Sequence, residues 1–148
     1  MKQSKSGLDS GTPRPWAFEE AQAAVPYFSS LARSLREHYL EVLAKRREVQ
    51  AFSERSGRPD RKALIAEQEA RRDLHKAEQD YQDALEELAE LDVQPLDPGQ
   101  GTALVPFVHD DQLAWYVFDL FDSQPIRSWR YQSDPDETRR KLTAAQMR

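Results

Sequence analysis

The chain has 148 residues, which is enough for one domain with a modest core. Its hydrophobic fraction of 39% is below the roughly 45–50% of typical globular proteins, so we expect an elongated shape or flexible ends. A net charge of −5 argues against a nucleic-acid binder, since such proteins normally carry a basic excess. The absence of cysteine excludes disulfides and thiolate ligands and suits a reducing compartment.

The first segment, MKQSKSGLDSGTPRP, has no apolar stretch of the kind that secretion signals contain. No run approaches the roughly 20 apolar residues of a membrane helix, so we expect a cytoplasmic protein that does not bind membranes. Residues 1–15 are predicted to be a disordered tail, because they cannot bury enough surface to offset their ordering entropy. Residues 16–142 are predicted to form a single domain, and residues 143–148 to fray.

Two long helices follow a short one. Glu19 and Glu20 favour a short helix over 18–25, and Pro26 ends it and begins the next. The long helix from 26 to 53 is indicated by apolar residues at intervals of seven (Phe28, Leu35, Val42 and Val49). SGRPD (56–60) stops it, with Gly57 in a left-handed conformation and Asp60 as the N-cap of the next helix.

The second long helix is predicted over 61–91, where an alanine-rich seam alternates by four and three. A short link between two long helices implies an antiparallel hairpin, here spanning residues 26–91. At about 1.5 Å per residue each arm is roughly 40–45 Å long. Apolar residues collect at the open end, so the hairpin should project from an anchored base.

The base is predicted to be a three-stranded antiparallel meander over 103–131, after the Pro/Gly-rich connector 92–101. Its strands are expected at Ala103–Val108, Leu113–Phe121 and Ile126–Tyr131. Pro106 is tolerable because its strand can lie at the sheet edge. The predicted fold class is therefore α+β, with a short helix, a long helical hairpin and a small β-meander.

The central strand, LAWYVFDLF, is apolar on both faces. The hairpin can cover one face only, and an uncovered apolar patch usually marks an interface. We therefore expect a homodimer, formed sheet against sheet through Trp115, Tyr116, Phe118 and Leu120, or through helices that leave apolar residues off the seam (Leu40, Leu43, Leu64 and Ile65). The alternative is that the N-terminal segment covers the sheet within a monomer.

The segment WAFEEAQAAVP (16–26) resembles the opening of the Domain of Unknown Function 2203 family. The later order is similar: a charged helical hairpin, a connector ending in Gly101, an apolar strand, and a turn leading to Ile126 and Trp129. The resemblance implies a small bacterial α+β protein of unassigned role. Ala17 replaces the family's Thr or Ser cap, Trp129-Arg130 its Trp-His pair, and Phe121-Asp122 its Gly-Glu pair. If that His and Glu form a metal or acid–base site in relatives, this chain retains at most the carboxylate, which is that of Asp122.

Two clusters could bind a ligand. With the hairpin turning near residue 58, His38, Glu41, His75 and Glu78 share one level and could hold a divalent metal. The plainer interpretation is surface pairing along each helix. Asp119, alone on an apolar face, predicts either a cross-strand ion pair or an anion pocket, and this second cluster comprises Asp119, Asp122, Arg127, Trp129 and Arg130.

No nucleophile–base pair, phosphate loop or zinc spacing is present. The sequence therefore favours a non-catalytic, dimeric interaction or scaffold module with a projecting charged hairpin, and it identifies no cofactor. A protein partner besides the second copy is compatible with this function. The alternative is a small-ligand or metal-dependent protein that uses one of the two clusters.

Overall fold

The computed structural model describes residues 13–55 and 57–148. Most of the predicted tail, residues 1–12, lies outside the described residues. In chain order the elements are α1 (Phe18–Ala23), α2 (Val25–Ser53), α3 (Arg61–Glu90), β1 (Gln94–Asp97), a 3-10 turn (Pro98–Gln100), β2 (Thr102–His109), β3 (Gln112–Asp119), β4 (Ile126–Tyr131) and β5 (Arg140–Lys141). The predicted α+β class is confirmed.

The helix boundaries follow local chemistry. Pro26 lies in the first turn of α2, where its missing N–H costs nothing. Asp60 caps α3, since its Oδ1 accepts a 2.8 Å hydrogen bond from the Ala63 amide. Ala17 precedes α1 and has no side-chain oxygen to cap it, but Glu20 Oε1 accepts the Ala17 amide at 3.0 Å. Half of a capping box therefore compensates for the missing cap.

α2 and α3 form the predicted antiparallel hairpin. The rings of Tyr39 and Tyr81 are 5.9 Å apart and pack against each other across it. Farther from the base, Arg46 of α2 pairs with Glu78 of α3 at 3.4 Å.

The sheet has five strands in the order β1-β2-β3-β4-β5, and every neighbouring pair is antiparallel. The prediction of three strands was therefore wrong in number, although all three were in place. β1 lies inside the Pro/Gly-rich connector and pairs with residues 102–104, and β5 pairs with Ser128 and Trp129. Both added strands are short and lack alternating hydrophobicity, so only their backbone pairing reveals them.

Pro106 lies on β2 just beyond the residues that pair with β1. β1 pairs with β2 only as far as Leu104, so the edge of β2 has no strand partner at Pro106. There the Pro106 carbonyl accepts a 2.8 Å hydrogen bond from the Trp16 amide. The Trp16 indole Nε1 in turn donates to the Leu91 carbonyl at 2.9 Å. The N-terminal segment thereby ties the sheet edge to the end of α3.

The inner face of the sheet packs on the open end of the hairpin and on α1. Tyr116 stacks on Phe107 with ring centroids 3.9 Å apart, and Phe18 meets Tyr116 edge-on at 5.7 Å. Phe28 of α2 meets Phe118 edge-on at 6.1 Å. One cluster of buried side chains therefore joins α1, α2, α3 and the sheet.

The outer face is also covered, within the same chain. Its apolar residues Leu104, Trp115 and Val117 are buried. The segment 132–139, here called the strap, follows β4 and lies over this face: Asp136, Glu137 and Arg139 line a hollow together with Leu96, Asp97, Gln100 and Thr102. Both apolar faces of the central strand LAWYVFDLF are therefore covered: helices pack on the inner face, and a polar segment lies over the outer face.

The C-terminal residues are not frayed in this structure. The Tyr116 hydroxyl donates to the Gln146 carbonyl, and Thr143 binds the Gln146 side chain through its amide (2.8 Å) and its hydroxyl (2.6 Å). Arg140 pairs with Asp134 at 2.8 Å and lies over the ring of Trp129. The hydrogen bond from Arg140 lowers the pKa of Asp134. The chain end is thus folded onto the base.

Candidate functional site

The predicted ligand cluster does not converge. Asp122 pairs with Arg127 at 3.0 Å, next to the β3–β4 turn. Asp119 does not make the expected cross-strand pair with an arginine: its Oδ1 accepts the Phe121 amide at 3.0 Å. Asp122 likewise accepts the Gln124 amide at 2.9 Å. These carboxylates form side-chain-stabilised turns, which is an ordinary structural use of Asp.

Trp129 and Arg130 lie on opposite faces of β4, as neighbours in a strand must. Trp129 faces inward, where it contacts His109 edge-on at 4.8 Å. Arg130 faces outward under the strap, and only 4% of it is exposed. The five residues predicted to form one ligand site therefore occupy the turn, the inner face and the outer face. The five side chains therefore do not surround one ligand position, although ligand binding by any one part stays a prediction.

Arg130 holds the strap in place. Its Nη1 donates to the carbonyl oxygens of Tyr131 at 3.2 Å and Asp134 at 2.8 Å, and its Nη2 reaches Asp136 at 3.3 Å. The Nε atom is buried with no hydrogen-bond partner among the described residues. A buried guanidinium that donates to two backbone carbonyls fixes a loop whose sequence has no apolar anchor. In the sequence, the one sign of this role is that Arg130 is a charged residue on the strand face that also carries Trp115.

Of the four predicted metal ligands, Glu41 and His75 are exposed on the hairpin surface and His38 is half-buried. Glu78 instead pairs across the hairpin with Arg46 at 3.4 Å. Among residues 13–55 and 57–148, no group of three His, Asp or Glu side chains is placed to hold a metal ion. Metal binding stays a prediction that the hairpin geometry does not support.

The predicted sheet interface is occupied within the chain. Trp115, Tyr116 and Phe118 are buried in the single chain, and Leu120 is half-buried. These side chains cannot meet a second copy unless the strap or the helices move away. Within the chain, the N-terminal segment packs on the inner face of the sheet, and the polar strap, which neither alternative considered, lies over the outer face. Dimerisation, through the sheet or through the helices, stays a prediction.

The far half of the hairpin, here called the distal hairpin (42–53 and 61–77), is the surface that the fold presents. The buried core that joins the helices to the sheet ends at Leu35 on α2 and begins at Ala84 on α3. Next to it, Arg36 donates to the Gly99 carbonyl at 2.9 Å. Beyond Tyr39, α2 continues for 14 residues, which is about 20 Å of helix. The arms there have mainly each other to pack against.

The distal hairpin carries exposed apolar side chains. Leu64 is 49% exposed and Ile65 is 46% exposed, close to the N-terminus of α3. Leu43 is half-buried, and Leu40, which lies on α2 just before the distal hairpin, is 40% exposed. Three of the four residues noted in the sequence as lying off the seam are thus open to solvent.

The chain matches the family model described as "Uncharacterized conserved protein (DUF2203)" over residues 14–142. The match spans most of the 148 residues, so the chain belongs to this family. No curated protein and no solved structure matches the chain. Among the described residues, no helix is both long enough and apolar enough to cross a membrane.

Proposed function

We propose that this protein is a non-catalytic interaction module, in which a compact base holds a projecting helical hairpin that other protein surfaces bind. The observation that carries this proposal is the distal hairpin. Its arms extend beyond the core, yet Leu64 and Ile65 remain about half exposed on it. Apolar side chains that the fold leaves open on a projecting element are typical of contact surfaces.

The architecture of the base supports a presenting role. Trp16, Arg130 and Tyr116 each make hydrogen bonds that tie a terminal segment or the strap onto the sheet. Both faces of the sheet are thereby closed within one chain. A rigid base leaves the hairpin as the element that can reach a partner.

The alternative function, a small-ligand or metal-dependent protein, has less support. Its predicted sheet residues are spread over two faces and a turn, and Glu78, one of its hairpin residues, pairs with Arg46. A binding site needs convergent polar groups within one concave region. The interaction module therefore fits the described geometry better.

Site-specific photo-crosslinking in cells tests the proposal. A photoreactive residue replaces Leu64 or Ile65 on the hairpin, and the matched control replaces Val108, which is 54% exposed on the base. We expect discrete protein adducts from the two hairpin positions and only background from Val108. Equal background at all three positions would contradict an interaction role for the hairpin.

A further inference from the structure

The charges of α3 are divided along its length. Residues 61–76 carry five basic side chains against three acidic ones, and the basic ones are Arg61, Lys62, Arg71, Arg72 and Lys76. Residues 77–90 contain no Lys or Arg and carry six acidic side chains: Glu78, Asp80, Asp83, Glu86, Glu87 and Glu90. One half of α3 is therefore basic and the other half strongly acidic.

This division opposes what an isolated helix prefers. The N-terminus of a helix favours negative side chains and the C-terminus favours positive ones. α3 has no acidic residue in its first turn and no basic residue in its last turn. Its charge pattern therefore weakens the helix rather than stabilising it. A pattern that costs helix stability calls for another explanation, such as a charged partner.

α2 does not neutralise these charges. Among the described residues, the one ion pair between the two arms joins Arg46 to Glu78. Glu86, Glu87 and Glu90 form no ion pair in the described part of the chain, and neither do Lys62 and Arg72. All five side chains are exposed. Within α3, Arg71 pairs with Glu67 and Lys76 pairs with Asp80, so part of the charge is compensated along the helix. The two halves of α3 nevertheless present opposite net charge to solvent.

We infer that α3 binds α3 of a second copy of this chain in antiparallel orientation, so that each basic half meets the partner copy's acidic half. This inference rests on the proposed function and names the partner of the same hairpin. An antiparallel pair of identical helices has two-fold symmetry, so every contact occurs twice and the assembly closes as a dimer. Electrostatic complementarity of this kind sets orientation and register.

Helical spacing indicates which side chains meet. The seam with α2 contains Ala70, Ala77 and Ala84, and positions two residues away from seam positions face away from α2. This outward face includes Ile65, Arg72 and Asp83, and all three are exposed. A two-fold axis midway between residues 77 and 78 places Arg72 opposite Asp83 and Ile65 opposite Glu90 of the other copy. This register pairs opposite charges at Arg72 and Asp83 and brings the Glu90 side chain over Ile65.

The acidic half of α3 favours a second copy over a nucleic acid. A phosphate backbone would attract Arg61 and Lys62 but would be repelled by the six carboxylates at the other end. Leu64 and Ile65 are exposed apolar side chains, which a second helix can shield from water. A copy of the same helix therefore fits the charge pattern better than a phosphate backbone does.

Analytical ultracentrifugation of the full chain tests the association. We expect a reversible dimer whose Kd rises at least about tenfold between about 50 mM and 500 mM NaCl, because salt screens exposed charge pairs. One variant makes the basic half acidic (Arg61→Glu, Lys62→Glu, Arg72→Glu), and a second makes the acidic half basic (Asp83→Lys, Glu86→Lys, Glu90→Lys). Each variant alone should be monomeric. An equimolar mixture of the two should dimerise at least as tightly as the native chain.

A control pair on the other arm (Arg33→Glu, Arg47→Glu) changes exposed charge on α2 and should leave the dimer intact. Circular dichroism of every variant shows whether the hairpin remains folded. If the native chain stays monomeric at low salt, or if the two folded α3 variants do not associate when mixed, the inference is overturned. Adducts to a different protein from Leu64 or Ile65 would then still support the proposed function, so the two failures are distinguishable.

Cysteine crosslinking tests the orientation, since the chain contains no native cysteine. In a mixture of the Ile65→Cys and Glu90→Cys proteins, antiparallel pairing predicts a disulfide between the two different variants. Parallel pairing would instead give disulfides between identical variants and would contradict the inferred arrangement. Oxidation of Glu41→Cys, an exposed position on α2, provides the background level of random crosslinking.

Discussion

The Tyr116 hydroxyl donates a 2.9 Å hydrogen bond to the Gln146 carbonyl, 30 residues further along the chain. This bond joins the middle of the central strand to the chain end. The phenol lies between Phe107 and Phe18, and burial raises the pKa of Tyr116 to about 12. The aromatic core therefore depends on residues that the sequence predicts to fray.

This raised pKa predicts a loss of stability at high pH. Between about pH 10 and pH 12 the unfolded chain loses the Tyr116 proton while the folded chain keeps it. The stabilisation that comes from the raised pKa of Tyr116 is complete below pH 10 and is lost as the pH rises through 12. The free energy of unfolding should therefore fall across this interval. Urea unfolding between pH 9 and pH 12 measures the fall.

The variant Tyr116→Phe should remove this part of the pH dependence. At neutral pH it should also cost about 1–3 kcal/mol, because the buried Gln146 carbonyl loses its donor. The exposed Tyr27 is the matched control, and Tyr27→Phe should retain the native pH dependence. An unchanged pH profile in Tyr116→Phe would show that this hydroxyl does not control alkaline unfolding.

Gly101→Ala should destabilise the base by about 2–4 kcal/mol. Gly101 has a φ of +72°, and a Cβ atom there would lie 2.9 Å from the Leu120 Cβ. Gly57→Ala is the control, because Gly57 also has a positive φ of +88° but no atom near the added Cβ. It should cost about 1 kcal/mol. Equal losses in thermal or urea unfolding would mean that the contact with Leu120 contributes nothing.

Arg130→Met should release the strap. The change removes the donors to the Tyr131 and Asp134 carbonyls, and we expect a loss of about 2–3 kcal/mol. Amide hydrogen exchange over 132–139 should accelerate, and exchange near Trp115 should follow. Asp136→Asn is the control, since the Asp136 side chain is 82% exposed and its pair with Arg130 should contribute less than about 1 kcal/mol. Protection of 132–139 that survives Arg130→Met would refute this role for Arg130.

Replacing an apolar side chain by alanine should have different effects on stability at the two ends of the hairpin. Phe28→Ala should cost about 3–5 kcal/mol, because Phe28 is buried against Trp16 and Phe118. Ile65→Ala, on the distal hairpin, should change the free energy of unfolding of the monomer by less than about 1 kcal/mol. Urea unfolding at low protein concentration separates these effects from any association. A large loss in Ile65→Ala would mean that the distal hairpin contacts the base.

Much of the architecture is readable from the sequence because it depends on local chemistry. Pro26, Gly57 and Asp60 act through backbone geometry and capping, so the helix boundaries agree closely with the structure. The strap could not be predicted, because it is held by Arg130 and backbone carbonyls rather than by apolar side chains.

The candidate site shows a similar division. Leu64 and Ile65 were recognisable as apolar residues off the seam, and their exposure agrees with that pattern. The residues grouped around Asp119 lie apart because neighbouring residues of a strand point to opposite faces of the sheet. The charge division of α3 is fully visible in the sequence, but its meaning depends on knowing that α2 leaves it uncompensated.

The length of the hairpin arms is separate from the structure of the base that anchors them. Both described chain ends are fastened at the base, through Trp16 and Gln146, and the arms meet in a regular seam. Deleting seven residues from each arm preserves such a seam and shortens the molecule by about 10 Å. Insertion of seven per arm lengthens it equally. Arm length is thus a quantity that can change in discrete steps while the sheet and its strap stay as they are.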